Sequence, residues 1–545
     1  MKPMLVFVLI LLVVALPCAA LGKQSHSHGK AEHPAMLMAG LGKVHHALST
    51  QNAQAQAFFD QGLALVYGFN HDEARRSFQR AAELDPKLAM AWWGIALTLG
   101  PNYNLPVDPG REKAGFAAAQ HAIALKENAS EPERAYIAAV AERYSDRPDA
   151  DLHALDFAYK SAMQKVAERY PDDLDAATLY AESAMDLRPW HLWSADGKPA
   201  EGTTEIVGVL QSVLKRDPNH LGANHYLIHA TEASPHPEQA LGAAERLAKL
   251  APASGHLVHM PAHIYARLGD HEASAQVNDA AAAADRKYLA ATGEKGVYPM
   301  MYYSHNLHFL AYAGCMDGDF ESAKKAAAQL VANVAPAVKT MPMLEGFMPT
   351  PLAVFLAFEK WNELLKMPQP DSSFAMTTAF WRFARGIAFA KLGKTAEARN
   401  EQNAWRESVE KIPREGMFDQ LNKNEAVLKI PEHLLASAVA ENARDTAAAL
   451  DQLRQAVGAE DALAYSEPPS WYPPVRPQLG RMLLAQKRAA EAENVFRTDL
   501  DKNPRHGRSL AGLRDALDAE GRHYDAEQID QQYRAAWKVV SARHP

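Results

Sequence analysis

Histidines recur at the spacing of one helix face within a single stretch of the sequence. Seven of them share spacings of three or four residues within short segments: His225, His229, His256, His259, His263, His305 and His308. Side chains three or four residues apart on a helix lie on the same face, about 5–6 Å apart at Cβ. Neutral imidazole is the commonest protein ligand for zinc and also suits copper, iron and nickel. The spacing therefore predicts a site for zinc, copper or another transition metal.

Three interpretations of this histidine array are open. In the first, it is a structural or catalytic metal site with Glu182, Glu232 or Cys315 as further ligands, and a glutamate could act as general base. In the second, the histidines and Arg267 bind a peptide or a small anionic ligand by hydrogen bonds. In the third, the histidines satisfy buried backbone carbonyls and pack between helices. Because the histidines are grouped rather than scattered, the array favours the metal site.

The elements that must position these side chains form an internal repeat. From Ala55 onward, small, aromatic and proline residues fall at fixed repeat positions: Phe58, Gly62, Ala74, Phe78, Ala81 and Pro86. This pattern resembles the tetratricopeptide repeat (TPR), a helix-turn-helix unit of about 34 residues. The same frame recurs in units that begin near Leu221, Gly255, Ser304, Ala379 and Pro473. The sequence therefore predicts an all-α, right-handed superhelical solenoid of TPR helix-turn-helix repeats.

The first helix of each predicted unit carries one stripe of inward-facing positions. The TPR resemblance implies that this stripe lines the concave groove, and it places the histidines of three consecutive units there. Glu182, Glu232, Arg267 and Tyr312 are the predicted ligand-binding residues beside them. Trp93 falls on the same stripe and could stack on a ligand, although core packing is the favoured use of an indole at this position.

The first residues have the pattern of a secretory signal peptide. A charged start at Lys2 precedes an apolar run, Leu5 to Leu16, and the small residues Cys18 to Ala20. The run is short for a bilayer span. We therefore expect residues 1–22 to be removed and the protein to be periplasmic or secreted, with no membrane span after cleavage. Only Cys315 would remain, so an intrachain disulfide is excluded.

The rest of the chain divides into three predicted segments. Residues 23–54 are expected to be a flexible, histidine-containing N-terminal segment. Residues 55–370 form the TPR array with the histidine-rich concave face, and residues 371–545 form a C-terminal TPR array. Loops rich in turn-formers or aromatics interrupt the repeats at 188–204, 289–301 and 466–477, and each predicts either a ligand-binding loop or a cover over helix edges.

The net charge bears on the partner. A formal net charge of -8 argues against a nucleic-acid or anionic-membrane partner, because either would favour a basic face.

Several longer motifs carry a resemblance to a known family. They are Phe59-Asp60-Gln61-Gly62-Leu63, Arg188-Pro189-Trp190, residues 224–234, residues 255–261, residues 263–267 and Glu467-Pro468-Pro469-x-Trp471-Tyr472. With these motifs the chain resembles a widespread family of exported bacterial TPR proteins of poorly defined function. The resemblance covers nearly all of the chain after the signal and implies an all-α repeat fold with a binding role. It implies no particular reaction, substrate or partner.

The sequence as a whole predicts an exported TPR solenoid that binds a protein, a peptide or a small ligand on its concave face, with a transition-metal site at the histidines. The first alternative is a metal-dependent enzyme of hydrolytic type that uses the same centre. The second is an assembly scaffold in which the histidines only pack.

Overall fold

A computed structural model of the chain describes residues 35–537. The predicted signal peptide and residues 23–34 lie outside these described residues. Within them the chain forms helices and no β-strand, apart from three isolated bridges.

The α-helices are numbered in chain order. They are α1 (Ala53–Tyr67), α2 (His71–Leu84), α3 (Ala89–Leu99), α4 (Pro109–Ala124), α5 (Glu131–Ala141), α6 (Leu152–Arg169), α7 (Leu174–Met185), α8 (Thr203–Arg216), α9 (Leu221–Thr231), α10 (Leu241–Leu250), α11 (Gly255–His259), α12 (Pro261–Arg267), α13 (His271–Thr292), α14 (Ser304–Asp317), α15 (Phe320–Val334), α16 (Thr350–Ala357), α17 (Trp361–Leu364), α18 (Ala375–Lys391), α19 (Thr395–Val409), α20 (Asn424–Asn442), α21 (Thr446–Asp461), α22 (Arg476–Ala485), α23 (Ala489–Lys502), α24 (Gly507–Ala519) and α25 (His523–Ala536). Short 3₁₀ helices span Lys126–Asn128, Pro237–Ala240 and Pro342–Phe347, and a π-helix spans Pro299–Tyr303.

Consecutive helices pack as hairpins, and each hairpin packs on the next. Helix α1 packs on α2, α18 packs on α19, and α20 packs on α21. The first helices of neighbouring hairpins are also in contact: α1 contacts α3, and α18 contacts α20. Contacts that run from one unit to its neighbour are the defining property of a solenoid. The predicted all-α solenoid of TPR helix pairs is confirmed.

Glycines allow the close approach of helices within these hairpins. A Cβ on Gly62 of α1 would lie 2.6 Å from the Phe78 ring of α2, and one on Gly94 of α3 would lie 2.5 Å from the same ring. Real Cβ atoms do not approach so closely, so only glycine lets three helices share one phenyl ring. The ring of Phe496 in the C-terminal array is flanked in the same way by Gly480 and Gly512.

Two of the helices that carry the histidines are buried along their whole length. Every residue of α9 is buried, and so is every residue of α11. A helix that is buried on all sides can hold polar side chains only where they find partners or a ligand. This burial makes the partners of each histidine informative.

The C-terminal hairpins return to contact the middle of the solenoid. Arg508 of α24 donates hydrogen bonds to the carbonyl oxygens of Cys315 (3.1 Å) and Ala357 (2.6 Å). Residues from both predicted arrays line a cavity of about 3480 Å³. The division of the chain near residue 370 stays a prediction.

Residues 35–52 lack regular helix but contact the first helices. The side chain of Gln61 in α1 accepts a hydrogen bond from the Met38 amide (2.7 Å) and donates one to the Met36 carbonyl (2.9 Å). The part of the N-terminal segment that the structure describes is therefore attached to the solenoid.

Candidate metal centre

Six of the seven predicted histidines converge inside the solenoid. Helix α9 carries His225 and His229, the α11–α12 pair carries His256, His259 and His263, and α14 carries His305. Five of them are buried and His305 is half-buried. The break between α11 and α12 at Met260–Pro261 and the π-helix before α14 set the register of these side chains. Helix irregularities of this kind are frequent at functional sites.

The first group consists of His225, His229 and His256, whose potential ligand atoms all lie within 4.8 Å of one another. The Nδ1 of His225 is 2.6 Å from the Tyr67 carbonyl oxygen. A carbonyl only accepts, so Nδ1 carries the proton and Nε2 of the neutral ring holds a free lone pair. That Nε2 lies 3.1 Å from Nε2 of His256.

The third member of the first group is held in the same way. His229 contacts the Glu232 carboxylate through Nδ1, at 2.9 Å from Oε1. Its Nε2 is buried and has no hydrogen-bond partner among residues 35–537. An acceptor on one ring nitrogen that leaves the other nitrogen bare is the usual arrangement around metal-binding histidines.

The second group consists of His259, His263 and His305, whose potential ligand atoms also lie within 4.8 Å of one another. The Nδ1 of His259 is 2.6 Å from Oδ1 of Asn278 in α13, and the Asn278 amide nitrogen donates to the Ser274 carbonyl at 2.7 Å. These two contacts fix the orientation of the amide and leave Nε2 of His259 directed at Nε2 of His263, 2.7 Å away.

Two glutamates accompany the second group. The Nδ1 of His263 lies 2.6 Å from Oε2 of Glu232 and 2.5 Å from Oε2 of Glu467, a residue of the loop at 466–474. Among the described residues, neither of these two contacts has the angles of a hydrogen bond. These three side chains form a further group that could hold a cation. Glu232 touches both histidine groups, since Oε1 faces His229 and Oε2 faces His263.

Burial governs the pKa values of most of these rings. It lowers the pKa of each of five histidines below 6.5, and neighbouring imidazoles lower it further: His225, His229, His256, His259 and His305. These rings are neutral near pH 7 and can offer a lone pair to a metal. Burial also disfavours the charged form of His263, but Glu232 and Glu467 outweigh it and raise its pKa to about 10.

The centre opens onto the large cavity. His229, His256, His263 and His305 line the cavity wall. The ring of Phe69 packs against all three members of the first group, with its centroid 4.5 Å from that of His225. A ligand in the cavity could therefore reach the histidines without unfolding any helix.

Two predicted residues lie near the centre without joining it. The ring of His308 contacts Phe347 and Tyr472, and burial lowers its pKa to about 4. Tyr312 is buried against Tyr472 and Phe309 and does not line the cavity.

The other predicted residues lie elsewhere. Glu182 lies beside Asp186, whose carboxylate pairs with Arg143 at 2.8 Å. Arg267 donates to the Ser234 carbonyl at 3.0 Å and lies over the Tyr465 ring. Trp93 is packed in the core against Phe59 and Tyr136. Cys315 is buried, and burial raises the pKa of its thiol to about 12, so it offers no thiolate.

Sequence reasoning did not assign Glu467 and Asn278 to the site. Glu467 stands in the Glu-Pro-Pro-x-Trp-Tyr motif, and this unusual composition was the available signal. Asn278 lies on a second helix, outside the stripe from which the candidates were read, so its contact with His259 depends on the packing of α11 on α13.

A fourth group of possible ligands lies apart from this centre, at His46, Asp173 and Asp175. The Asp175 carboxylate contacts the Tyr67 hydroxyl (2.5 Å), His46 Nδ1 (2.8 Å) and His220 Nε2 (3.3 Å). Because protein donors already satisfy it, this group is a polar connection between the N-terminal segment, α1, α7 and α9.

Comparisons with solved structures find likenesses at low identity and low TM-score. Human IFIT1, in a dimer with m7Gppp-AAAA, matches 89% of this chain and 91% of its own, with 13% identity and a TM-score of 0.33. Yeast Tom70 matches 91% of this chain and 100% of its own, with 12% identity and a TM-score of 0.32. The Cut9–Hcn1 hetero-tetramer of the APC/C matches 85% of this chain and 76% of its own, with 12% identity and a TM-score of 0.31.

Similarity at this level does not indicate what the protein does. The fold assignment rests on the pairing of helices in the chain itself. No protein-family model matches the chain, and no curated protein matches it. Across residues 35–537, none of the helices has the length and apolar character needed to cross a bilayer.

Proposed function

We propose that this protein binds a transition-metal ion at the first histidine group and uses the ion to bind a ligand that enters the cavity. The observation that carries the proposal is the Nε2-to-Nε2 approach of His225 and His256, 3.1 Å, with Nδ1 of His225 held by a carbonyl. Zinc–nitrogen bonds of about 2.0–2.1 Å on a tetrahedral ion place two ligand nitrogens about 3.3 Å apart. The observed separation is close to that value.

The chemistry of the donor set narrows the choice of ion. Three neutral imidazoles suit zinc, copper, nickel or iron, whereas calcium and magnesium prefer oxygen ligands. A fourth coordination position would face the cavity, because His229 and His256 line its wall. The sequence-based alternative of a metal-dependent hydrolase shares this first requirement, a bound ion with an open position.

The proposal is tested on the full chain, purified without a histidine tag. Elemental analysis before and after chelation is expected to find zinc or copper that is removed and then restored. His225→Ala and His229→Ala should reduce metal content strongly. The control His121→Ala should not, because His121 is exposed and stacked on Trp92. Absence of metal in the wild-type chain after incubation with zinc and copper would refute the proposal.

Ligand access to the ion has a separate test. In protein loaded with cobalt(II), azide added to the solution should shift the visible absorption bands, because a position open to the cavity can exchange its ligand. An unchanged spectrum at saturating azide would mean that the ion is closed off and structural.

We also infer from residues 1–22 that the chain is exported. Mass spectrometry of protein recovered from the periplasm or medium of a bacterial host should find an N-terminus after Ala20 or Gly22. Recovery of only the uncut chain from the cytoplasm would contradict this inference.

A further inference from the structure

We propose that the two histidine groups bind two metal ions at the same time and that the Glu232 carboxylate between them is shared by both sites. This inference rests on the proposed function, which requires only the ion of the first group. It adds a second site at His259, His263 and His305 and the class of ion that this site takes, a divalent transition metal.

The number of histidines exceeds what one ion can use. Zinc in proteins is almost always four-coordinate, and catalytic zinc has three protein ligands and an open position. Six convergent imidazoles thus provide one full set of three and then a second, in which a bound ion would displace the proton from Nε2 of His263 while Nδ1 stays directed at Glu232 and Glu467. The shortest ring contacts lie within the groups. His225 is 4.9 Å from both His229 and His256, and His259 is 4.7 Å from both His263 and His305. Between the groups, His229 to His263 spans 5.8 Å and His256 to His259 spans 6.0 Å, similar to the longest pair within the first group, His229 to His256 at 6.1 Å.

The second group has the same construction as the first. An acceptor holds Nδ1 of one member, here Oδ1 of Asn278 on His259, and its Nε2 faces Nε2 of another member. The pair His259–His263 stands at 2.7 Å and would separate by about half an ångström to span a tetrahedral ion. His305 adds a third ring, 4.7 Å from His259, on the cavity side.

Glu232 joins the two sites through its two oxygens. Oε1 is 2.9 Å from Nδ1 of His229, and Oε2 is 2.6 Å from Nδ1 of His263. A carboxylate on the outer nitrogen of a metal-bound imidazole increases the basicity of the ring and fixes its orientation. Glu232 is hydrogen-bonded in this way to His229 and lies at ion-pair distance from His263, one histidine of each group.

The surrounding charges also favour two ions. Two dications close together repel each other in a low-dielectric interior, and buried negative charge between them reduces that repulsion. Glu232 supplies it, because its side chain is 1% exposed and contacts both His229 and His263. Glu467 lies 2.5 Å from His263 in the second group only, and burial raises its pKa to about 7. The loop at 466–474, which brings Glu467 from the C-terminal array, thus becomes part of the second site.

Metal stoichiometry tests the inference on the full, chelator-stripped chain. Equilibrium dialysis against zinc, followed by elemental analysis, is expected to give two ions per wild-type chain and two for His121→Ala. His225→Ala in the first group and His259→Ala in the second are each expected to retain one. No ion in the wild-type chain would refute the proposed function itself, whereas one ion would overturn only the two-ion inference.

Two further variants guard against loss of folding. His229→Gln and His305→Gln replace cavity-lining members of each group, and each should retain one ion with wild-type helical circular dichroism. Loss of both ions from either folded variant would overturn the inference.

Glu232→Gln tests the shared carboxylate. It keeps the size of the side chain but removes its charge and one acceptor, so affinity for the weaker of the two ions should fall at least tenfold. Glu238→Gln, at a more exposed position, serves as control. Equal affinities for both ions in Glu232→Gln and wild type would show that the carboxylate is not shared.

Discussion

At the scale of single residues, Asn278 is the clearest test of how the histidines are oriented. Its amide oxygen holds Nδ1 of His259, and its amide nitrogen is tied to the Ser274 carbonyl. Removing such an outer partner typically lowers metal affinity about 10–100-fold. Asn278→Ala should therefore weaken zinc binding in a competition titration with a chromophoric chelator, while Asn494→Ala, the same change at an exposed position of α23, should have no effect. Equal affinities for the two variants would contradict the role given to Asn278.

Prediction from the sequence is also most limited at the scale of single residues. The stripe of positions on the first helices predicts that histidines from three units face one space, because helical periodicity fixes which side chains share a face. It cannot predict the partners of each ring. Glu467 is separated from His263 by 204 residues (467 − 263), and its arrival depends on the curvature accumulated over the intervening hairpins. Glu182 and Cys315 occupy plausible stripe positions, yet their packing leads them to other neighbours.

At the scale of helices, the shared phenyl ring of Phe78 predicts the effect of one added methyl group. Gly94→Ala would place a Cβ 2.5 Å from that ring, between α2 and α3. Overpacking of this kind costs about 1–3 kcal/mol of unfolding free energy. Gly208→Ala on α8 is the matched control, because nothing lies within 4 Å of its added Cβ and alanine favours helix. We expect thermal melts followed by circular dichroism to show a lower melting temperature for Gly94→Ala only; equal melting temperatures would show that the interface can relax.

The polar connection at Asp175 gives a pH-dependent prediction at the same scale. Burial lowers the pKa of His46, but its contact with Asp175 outweighs this and raises the pKa above 6.5. Burial raises the pKa of Asp175, but hydrogen bonds from His220 and His46 reverse this and lower the pKa below 3.8. The histidine contribution is full below pH 6.5 and is lost as the pH rises through the raised value. The aspartate contribution is full above about pH 4 and is lost as the pH falls.

The connection should therefore stabilise the fold most between about pH 4 and 6.5. His46→Gln should lower the melting temperature most in that interval, and its deficit relative to wild type should shrink as the pH rises beyond it. His45→Gln is the control, because that ring is 67% exposed and pairs only with Asp60 among the described residues. A His46→Gln deficit that is constant from pH 5 to 9 would contradict the assignment.

The helices and the repeat frame could be predicted from the sequence, because each unit repeats the same small residues and prolines. The irregular elements could not all be predicted. Pro261 is a local signal for the break at Met260–Pro261, because proline interrupts a helix, whereas no local pattern predicts the π-helix before α14. Both irregularities lie at the centre, where they change the direction of the histidine-bearing faces.

At the scale of the whole molecule, the enclosure of the cavity depends on contacts between distant parts of the solenoid. Arg508 makes two of them, with the carbonyl oxygens of Cys315 and Ala357, which end neighbouring helices. Hydrogen bonds to a charged group contribute about 1.5–3 kcal/mol. In a solenoid without such cross-contacts, each unit packs only on its neighbours, so distant units can move relative to one another.

Arg508→Met keeps an apolar stem but removes the donors and should let the C-terminal hairpins move away from the centre. Small-angle X-ray scattering is expected to show a larger radius of gyration, and hydrogen exchange should increase in α14, α16 and α24. Arg534→Met, at a side chain that is 78% exposed, should leave both measurements unchanged. If the cavity also shields the metal centre, a chelator should remove the ion faster from Arg508→Met than from wild type. Unchanged scattering and removal rate would mean that the loop at 466–474, rather than α24, keeps the cavity closed.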